Sequence, residues 1–225
     1  KMVLWKKIIT QGFGTGRNLR FGDLNGDGQI DVLLGQIRNY NRRHNELSCL
    51  TAMTFDGEML WQIGTPDRRQ YKISRDLPFQ IHDINGDDKN EVVYCRDQEF
   101  IVAEGATGNT LYKKPTPKSP GEHDFKEYNT MGTHGDLGQF NAFKRMLGDC
   151  LYFADFRGTG EDRDIVFKGR YRHYWVYNDK LELLWKGECN TGHYPYADDI
   201  DGDGKDELSI GYSLLDDNGQ VLWSL

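Results

Sequence analysis

The sequence predicts an all-β protein, specifically a β-propeller of four-stranded blades with about four blades present. An acidic loop recurs along the chain, and a leucine followed by tryptophan or tyrosine recurs after each loop. No long amphipathic helical period competes with short strands separated by glycine-rich turns. Short strands in a regular order, with one aromatic residue per unit, are typical of propeller blades.

The acidic loop is the clearest repeat. It reads GDLNGDGQID from Gly22, HDINGDDKNE from His82 and DDIDGDGKDE from Asp198, with a degraded copy, ADFRGTGEDRD, from Ala154. The aromatic element that follows stands at Leu60-Trp61, Leu111-Tyr112, Leu184-Trp185 and Leu222-Trp223. Four repeat units therefore follow one another along the chain.

The last unit shows how the strands are predicted. A first strand, Tyr196–Asp199, leads into the acidic loop, and Glu207–Tyr212 and Leu214–Asp216 follow it. Asn218-Gly219 then favours a tight hairpin turn before Gln220–Ser224, because this dipeptide accepts positive φ angles.

We predict that residues 1–225 form a single propeller domain or part of a larger propeller. The segment 113–147, rich in proline, glycine and charge, is predicted as an insertion between the second and third blades. Met2–Lys6 (MVLWK) resembles the last strand of a unit. We expect either an open arc that self-associates through its blade edges, or a ring closed by Met2–Lys6 beside the last blade.

Alternating oxygen-bearing residues in the acidic loops are typical of calcium sites. We expect about three structural Ca²⁺ ions and none in the degraded copy, where Arg157 and Thr159 replace ligands. A metal-free acidic turn is one alternative, and an EF-hand is another, although strand-like VLLG, VVYC and LSIG follow the loops instead of helices. The ligands, including backbone carbonyls at the Gln29 position, are Asp23, Asn25, Asp27, Gln29, Asp31; Asp83, Asn85, Asp87, Lys89, Glu91; and Asp199, Asp201, Asp203, Lys205, Glu207.

Composition restricts the function classes. The formal net charge is −7, which gives no reason to expect a nucleic-acid partner, and three bound divalent cations would offset most of it. No stretch is apolar over the length needed to cross a bilayer. The four cysteines form no CxxC pair, so a zinc site is not expected and disulfides are permitted without being required.

The loops predicted for the face opposite the calcium loops are rich in arginine, histidine and tyrosine. Such a face suits an acidic polymer, because guanidinium groups bind carboxylates in bidentate fashion. Solvation of ordinary polar loops is the alternative. The predicted substrate-binding residues are Arg42, Arg43, His44, Arg68, Arg69 and Arg145.

The repeat DIDGDGKDE followed by GYSLLDDNGQVLW resembles the FG-GAP type of calcium-binding propeller repeat. LYFADFRGTG, DIVFKGRYRHYWVYND and TGHYPYADDIDGDGKDE are similar to segments of rhamnogalacturonan lyases and related propeller polysaccharide lyases, most closely from about Gly148 to Leu225. The resemblance implies β-elimination on a uronate-containing glycan. It also implies an extracellular, periplasmic or cell-surface location.

Such chemistry needs a group that neutralises the uronate carboxylate, a base and an acid. Position and residue type favour Arg170 and Arg172 for the carboxylate, His193 or His173 as the base, and Tyr194 or Tyr171 as the acid. Two alternatives remain open. The chain is either a non-catalytic, calcium-stabilised propeller that binds a glycan or a protein in the manner of FG-GAP adhesion proteins, or a structural fragment whose function needs further blades.

Overall fold

The structure is a computed structural model that describes residues 2–10, 12–14, 18–39, 45–67, 76–119, 144–169 and 172–225. Within these ranges the chain forms four four-stranded antiparallel sheets and no helix. In each sheet the four strands lie side by side in chain order. This all-β arrangement is consistent with a β-propeller.

The sheets are named I to IV in chain order. Sheet I contains β1 (Leu19–Gly22), β2 (Asp31–Asn39), β3 (Asn45–Thr54) and β4 (Met59–Gly64). Sheet II contains β5 (Phe79–His82), β6 (Glu91–Arg96), β7 (Glu99–Glu104) and β8 (Thr110–Pro115). Sheet III contains β9 (Cys150–Ala154), β10 (Asp164–Lys168), β11 (His173–Tyr177) and β12 (Leu183–Glu188). Sheet IV contains β13 (Tyr196–Asp198), β14 (Glu207–Ile210), β15 (Ser213–Leu215) and β16 (Val221–Ser224).

The acidic loop occupies the same place in every sheet. It joins the first strand to the second, and the residue that precedes its first aspartate pairs with its last acidic residue. The pairs are Gly22 with Asp31, His82 with Glu91, Ala154 with Asp164, and Asp198 with Glu207. This common register confirms that the acidic repeat marks equivalent positions in four similar sheets.

Neighbouring sheets share hydrophobic cores. One cluster joins sheets I and II around Leu33 and Phe79, a second joins sheets II and III around Phe100 and Phe167, and a third joins sheets III and IV around Val176. The innermost strands β1, β5, β9 and β13 contact one another in that order. The acidic loops therefore follow the C-terminal ends of these four strands. The segments that lead into the strands lie at the opposite, N-terminal ends.

The recurring aromatic residue of the outermost strand contacts the next sheet. The indole N–H of Trp61 donates to the Gly105 carbonyl oxygen at 2.7 Å, in the β7–β8 turn. The Tyr112 hydroxyl donates to the Asp179 carbonyl in the β11–β12 turn. Trp185 lies over Gly219 in the β15–β16 turn, where an added Cβ would come within 2.7 Å of the indole. In sheets I to III, the aromatic residue of the Leu-Trp or Leu-Tyr repeat thus contacts the neighbouring sheet.

Met2–Lys6 does not form the strand that its sequence predicts. A strand needs a ladder of inter-strand hydrogen bonds, and none pairs with this segment in the part of the chain that the structure describes. The ring of Trp5 lies 5.5 Å from that of Phe55, and Lys6 pairs with Asp56. The segment therefore contacts the β3–β4 turn of sheet I and does not lie beside sheet IV.

β8 continues to Pro115, so residues 113–115 of the segment predicted as an insertion belong to sheet II. A bridge between Lys118 and Arg145 joins its two ends, and residues 120–143 lie outside the described residues. All four cysteines are free thiols. The described part of the chain contains no helix that is both long and apolar enough to span a membrane.

Candidate functional site

The first aspartate of each acidic loop holds the loop together by accepting backbone hydrogen bonds. Asp199 accepts the Gly202 N–H at 2.8 Å on one carboxylate oxygen and the Gly204 N–H at 3.0 Å on the other. Asp23 and Asp83 accept equivalent bonds in their own loops. Gly202 and Gly204 have φ angles of 81° and 88°, which L side chains rarely adopt. Glycine therefore suits these two positions of the turn, although Asp88 has a φ of 63° at the Gly204 position of the second loop.

The last acidic residue of each loop is buried. Glu207 accepts the Ile200 N–H at 2.8 Å, and Glu91 accepts the Ile84 N–H at 3.1 Å. Desolvation raises the pKa of Glu91 to about 7, with smaller contributions from the charges of Asp87 and Asp83. Burial also raises the pKa of Glu207. A cation bound in the loop would favour the ionised form of these carboxylates.

The donor atoms of the loops fit a hard divalent cation. Carboxylate oxygens of Asp199, Asp201 and Glu207 lie within 4.8 Å of one another, the only such trio of metal-ligating residues in the described chain. The first two loops have Asn25 and Asn85 at the Asp201 position, so amide oxygen replaces carboxylate there. Oxygen donors at alternating positions are the ligands that Ca²⁺ takes.

The degraded third loop contains a positively charged side chain, that of Arg157. Arg157 Nε lies 2.7 Å from Asp164 Oδ1, and Nη2 lies 2.8 Å from Asp179 Oδ1. The Thr159 N–H and hydroxyl donate to Asp155 at 2.7 Å and 3.0 Å. The guanidinium therefore neutralises the buried acid of this loop, which is the physical basis for expecting no ion there.

The opposite end of the inner strands presents His193. It lies on the segment between β12 and β13, its side chain is 74% exposed, and its Nδ1 lies 3.5 Å from Asp76 Oδ2. A carboxylate beside one ring nitrogen can orient an imidazole. The position suits a base that reaches a large substrate.

Tyr194 follows His193 and lies across the inner strands. Its hydroxyl accepts a hydrogen bond from Gln80 on β5, and Arg20 Nε donates to Gln80 Oε1 at 2.7 Å. Burial raises the pKa of Tyr194 to about 12, with a further increase from Cys150. The hydroxyl therefore stays protonated at neutral pH and can act as a proton donor.

A buried ion pair supports this segment. Lys168 is completely buried, and its Nζ lies 2.7 Å from Asp149 Oδ2 and 3.2 Å from the Gly192 carbonyl oxygen. The buried Thr191 hydroxyl lies 3.5 Å from the Gly169 carbonyl oxygen. The backbone just before His193 is therefore tied to the end of β10.

The other predicted site residues lie elsewhere or outside the described residues. His173 and Arg172 stand at the start of β11 and face Glu188 of the outermost strand β12, at 3.7 Å and 3.4 Å. Arg145 donates to the Thr116 carbonyl at 2.6 Å, beside the base of the insertion. The predicted residues that fall outside the described ones are Arg42, Arg43, His44, Arg68, Arg69, Arg170 and Tyr171.

The structure adds five residues that the sequence interpretation did not select: Arg20, Asp76, Gln80, Asp149 and Lys168. Arg20 and Gln80 occupy the same position relative to their acidic loops, which a comparison of the repeats could have revealed. Lys168 begins the segment KGRYRHYW, but its burial is not visible in the sequence. The sequence around Asp76 and Asp149 contains no pattern that would mark them as site residues.

No family model matches the chain. Two curated proteins of Bacillus subtilis (strain 168) are similar to it. The rhamnogalacturonan exolyase YesX is 24% identical over 245 residues, which cover 90% of this chain and 39% of the relative. The rhamnogalacturonan endolyase YesW is 23% identical over 245 residues, which cover 90% of this chain and 38% of the relative. The chain thus spans about two fifths of the length of these relatives.

Solved structures show the same fold. The crystal structure of rhamnogalacturonan lyase YesW gives a TM-score of 0.62 at 20% identity, covering 92% of this chain and 42% of that one. The exotype lyase YesX gives 0.60 at 20% identity, covering 92% and 40%. The Vibrio cholerae biofilm matrix protein Bap1 gives 0.52 at 21% identity, covering 92% and 30%. The chain therefore has a rhamnogalacturonan lyase-like fold.

Proposed function

We propose that this chain is a propeller polysaccharide lyase, or a lyase-like part of one, acting on an acidic, rhamnogalacturonan-like glycan by β-elimination. The observation that carries the proposal is the hydrogen-bonded group of Tyr194, Gln80 and Arg20, with Tyr194 on the segment that also presents His193; together these residues offer an acid-type, a cationic and a base-type side chain. The names of the similar proteins YesX and YesW support the substrate class.

The chemistry can be assigned to these side chains. His193, oriented by Asp76, removes the proton at C5 of the uronate, and the Arg20 guanidinium neutralises the carboxylate that stabilises the resulting negative charge. The bond between C4 and the leaving oxygen then breaks, and the Tyr194 hydroxyl gives that oxygen a proton. The product has a double bond between C4 and C5. In this scheme Arg20 takes the role that the sequence assigns to Arg170 and Arg172.

Calcium is proposed as a structural cofactor, with about three ions in the loops that begin at Asp23, Asp83 and Asp199. The convergent carboxylates of Asp199, Asp201 and Glu207 support this, as does the buried Glu91. In each loop the ion would offset the repulsion between neighbouring acids and hold the turn between the first two strands. Because these loops lie away from His193, we assign them no part in the bond-breaking steps.

The location follows from the substrate. An enzyme that acts on a plant or algal polysaccharide must meet it outside the cytoplasm, so we propose an extracellular, periplasmic or cell-surface site of action. The second candidate function is a non-catalytic, calcium-stabilised propeller that binds a glycan or protein. The shared fold of the biofilm matrix protein Bap1 favours retaining this candidate.

The test is an ultraviolet assay for unsaturated products. The 225-residue protein is incubated in calcium with rhamnogalacturonan and with other uronate polysaccharides, beside His193→Ala as the matched control. A rise in absorbance with the wild-type protein, lost in the variant, supports the lyase. Binding of a glycan without any absorbance change from a folded protein would exclude the lyase and favour the non-catalytic propeller.

A further inference from the structure

One position of the acidic loop reaches the loop of the preceding sheet. It is the residue just before the last acidic residue, and we name it the linking position. The side-chain amide of Asn90, at the linking position of the second loop, donates to the main-chain oxygen of Asp23 in the first loop at 2.8 Å. In the four loops the linking position is occupied by Ile30, Asn90, Arg163 and Asp206.

The third and fourth loops reach back in the same way. The Arg163 guanidinium lies against Gly86 of the second loop and leaves no room there for a Cβ. The Asp206 carboxylate accepts the Asp155 N–H of the third loop at 2.8 Å, and the Asp206 N–H donates to the Asp155 carbonyl oxygen at 3.1 Å. Ile30 belongs to the first described sheet and is 58% exposed. The acidic loops are therefore connected in series.

The Asn90 contact joins two of the proposed calcium sites. Asp23 is the first predicted ligand of the first loop. Asn90 stands between two predicted ligands of the second loop, the Lys89 carbonyl oxygen and the Glu91 carboxylate. A change in the backbone of either loop therefore acts directly on the hydrogen bond between Asn90 and Asp23.

The surroundings of Asn90 hold this contact in place. Asn90 is half-buried, and an added Cβ at Gly105 of the β7–β8 turn would overlap its carbonyl oxygen. The same glycine accepts the Trp61 indole N–H from sheet I at 2.7 Å. Because close-packed groups transmit displacements, the first two loops are not free to move independently.

The link at the fourth loop differs in what it joins. The partner of Asp206 is Asp155, which belongs to the loop where Arg157 pairs with the buried Asp164 and no ion is expected. The fourth loop is thus separated from the second by a loop without a proposed ion. Only the link at Asn90 connects two neighbouring calcium sites in the part of the chain that the structure describes.

We infer that the first and second loops bind calcium cooperatively through Asn90, whereas the fourth loop binds its ion independently. An ion that orders one loop fixes one partner of the hydrogen bond and so lowers the cost of ordering the other loop. Repulsion between the two ions opposes this coupling. Each loop has three predicted carboxylate ligands, however, so it remains negative with one ion bound, and salt screens exposed charges. The inference rests on the proposed calcium sites and is independent of the lyase.

The test measures the coupling by calorimetric titration with calcium in physiological salt. Asp203→Ala disables the fourth loop and leaves two sites, and adding Asp27→Ala or Asp87→Ala leaves one. The coupling factor is the product of the two stepwise binding constants of Asp203→Ala divided by the product of the two single-site constants. We expect a factor of about 5 with Asn90 present and about 1 when Asn90→Ala is added to each protein.

Ile30→Ala is the matched control. It changes the linking position of the first loop, which contacts no described earlier loop, so the coupling factor should stay at about 5. Independence of the fourth loop is tested with Asp27→Ala, Asp87→Ala, in which only that loop binds. Its constant, multiplied by the product found for Asp203→Ala, should equal the product of the three stepwise constants of the wild-type protein.

Hydrogen exchange gives a second readout that does not need a two-site titration. In Asp87→Ala, calcium can bind the first loop but not the second. It should still slow exchange of the Gly86 and Asp88 N–H groups, which donate to Asp83 in the second loop, several-fold. Asn90→Ala should remove this effect, and Ile30→Ala should not.

The outcomes separate the coupling from the calcium sites themselves. A coupling factor of about 1 with Asn90 present, or a factor that Asn90→Ala does not change, would overturn the inference while leaving the sites in place. Absence of calcium binding in the first two loops would overturn both. A factor well below 1 would show that repulsion between the ions outweighs the shared ordering and would also overturn the inference.

Discussion

The ammonium group of Lys168 lies 2.7 Å from the carboxylate of Asp149, and no part of the Lys168 side chain is exposed to solvent. This pair joins the end of β10 to the residue that precedes β9, and the Lys168 ammonium also bonds to the Gly192 carbonyl oxygen. The position of His193 therefore depends on an ion pair in the interior of sheet III.

The buried pair gives a stability prediction. Lys168→Met leaves the Asp149 carboxylate without its cation, and removing one partner of a buried pair costs about 3–5 kcal/mol of unfolding free energy. Urea denaturation measures the loss. The double variant Lys168→Met, Asp149→Leu removes both charges and should recover much of it. A single variant that loses less than about 1 kcal/mol would contradict the structural role of the pair.

We expect His193 to contribute to turnover or glycan binding and little to the stability of the fold. Its side chain is largely exposed, so we expect His193→Ala to leave the melting temperature nearly unchanged while turnover or glycan binding falls. Asp76→Asn keeps the size of the side chain but removes its charge, and it should reduce turnover less than His193→Ala does. If His193→Ala destabilises the protein as strongly as Asp203→Ala does, then His193 is a packing residue.

We expect each chain to bind three calcium ions and no more. Chelation should lower the melting temperature, because a ligand that binds only the folded state stabilises that state by mass action. Asp203→Ala should bind one ion fewer and loosen sheet IV, since it removes an anionic ligand from the fourth loop. Elemental analysis counts the ions. An ion beside Arg157 and Thr159, or none in the other loops, would refute this set of sites.

The third loop offers a gain-of-binding variant. Arg157 and Thr159 stand where the other loops have predicted ligands, so Arg157→Asn with Thr159→Asp should restore oxygen ligands at these two positions and bind a fourth calcium ion, although Asp164 follows Asp155 by nine positions where the other loops have eight. Arg157→Asn alone should destabilise the protein without binding one, because Asp164 loses its guanidinium partner. Calorimetric titration with calcium distinguishes the two variants, and an unchanged stoichiometry in the double variant would contradict the equivalence of the loops.

The same loop should give a pH dependence. Desolvation raises the pKa of Asp164 to about 6, against the opposing charge and hydrogen bonds of Arg157. The folded protein holds this proton more tightly than the unfolded chain, whose pKa is near 3.8. The contribution of Asp164 to stability therefore increases as the pH falls from about 6 towards 3.8. Urea denaturation across this range should show a trend that Asp164→Asn removes, and identical pH profiles would contradict it.

Self-association is the remaining prediction. The outermost strand β16 is exposed along its length, and Trp223, whose counterparts in sheets I and III contact the next sheet, is 52% exposed. Such an edge can pair with a second chain. Sedimentation of the protein over a range of concentrations should show association that Trp223→Lys reduces. A monomer at every concentration would contradict this prediction.

The sequence by itself determined the repeating units, the position of every acidic loop and the all-β class. These features depend on local patterns: glycines at positive φ in the loops, apolar runs in β6 and β10, and Asn218-Gly219 in the last turn. His193 and Tyr194 lie shortly before the innermost strand β13, which the sequence indicates from the strand that it predicts there. The prediction of a strand at Met2–Lys6 was wrong, because a strand needs a pairing partner that the segment's own sequence does not specify.

Only the tertiary structure decided which of these side chains meet. His193 meets Asp76 and Tyr194 meets Gln80, residues more than a hundred positions away in the chain, and His173 faces Glu188 instead of joining them. The burial of Lys168 was likewise decided by packing, since a lysine at a strand end is usually exposed. Contacts between sheets depend on how whole sheets pack together, and a local sequence pattern does not contain that information.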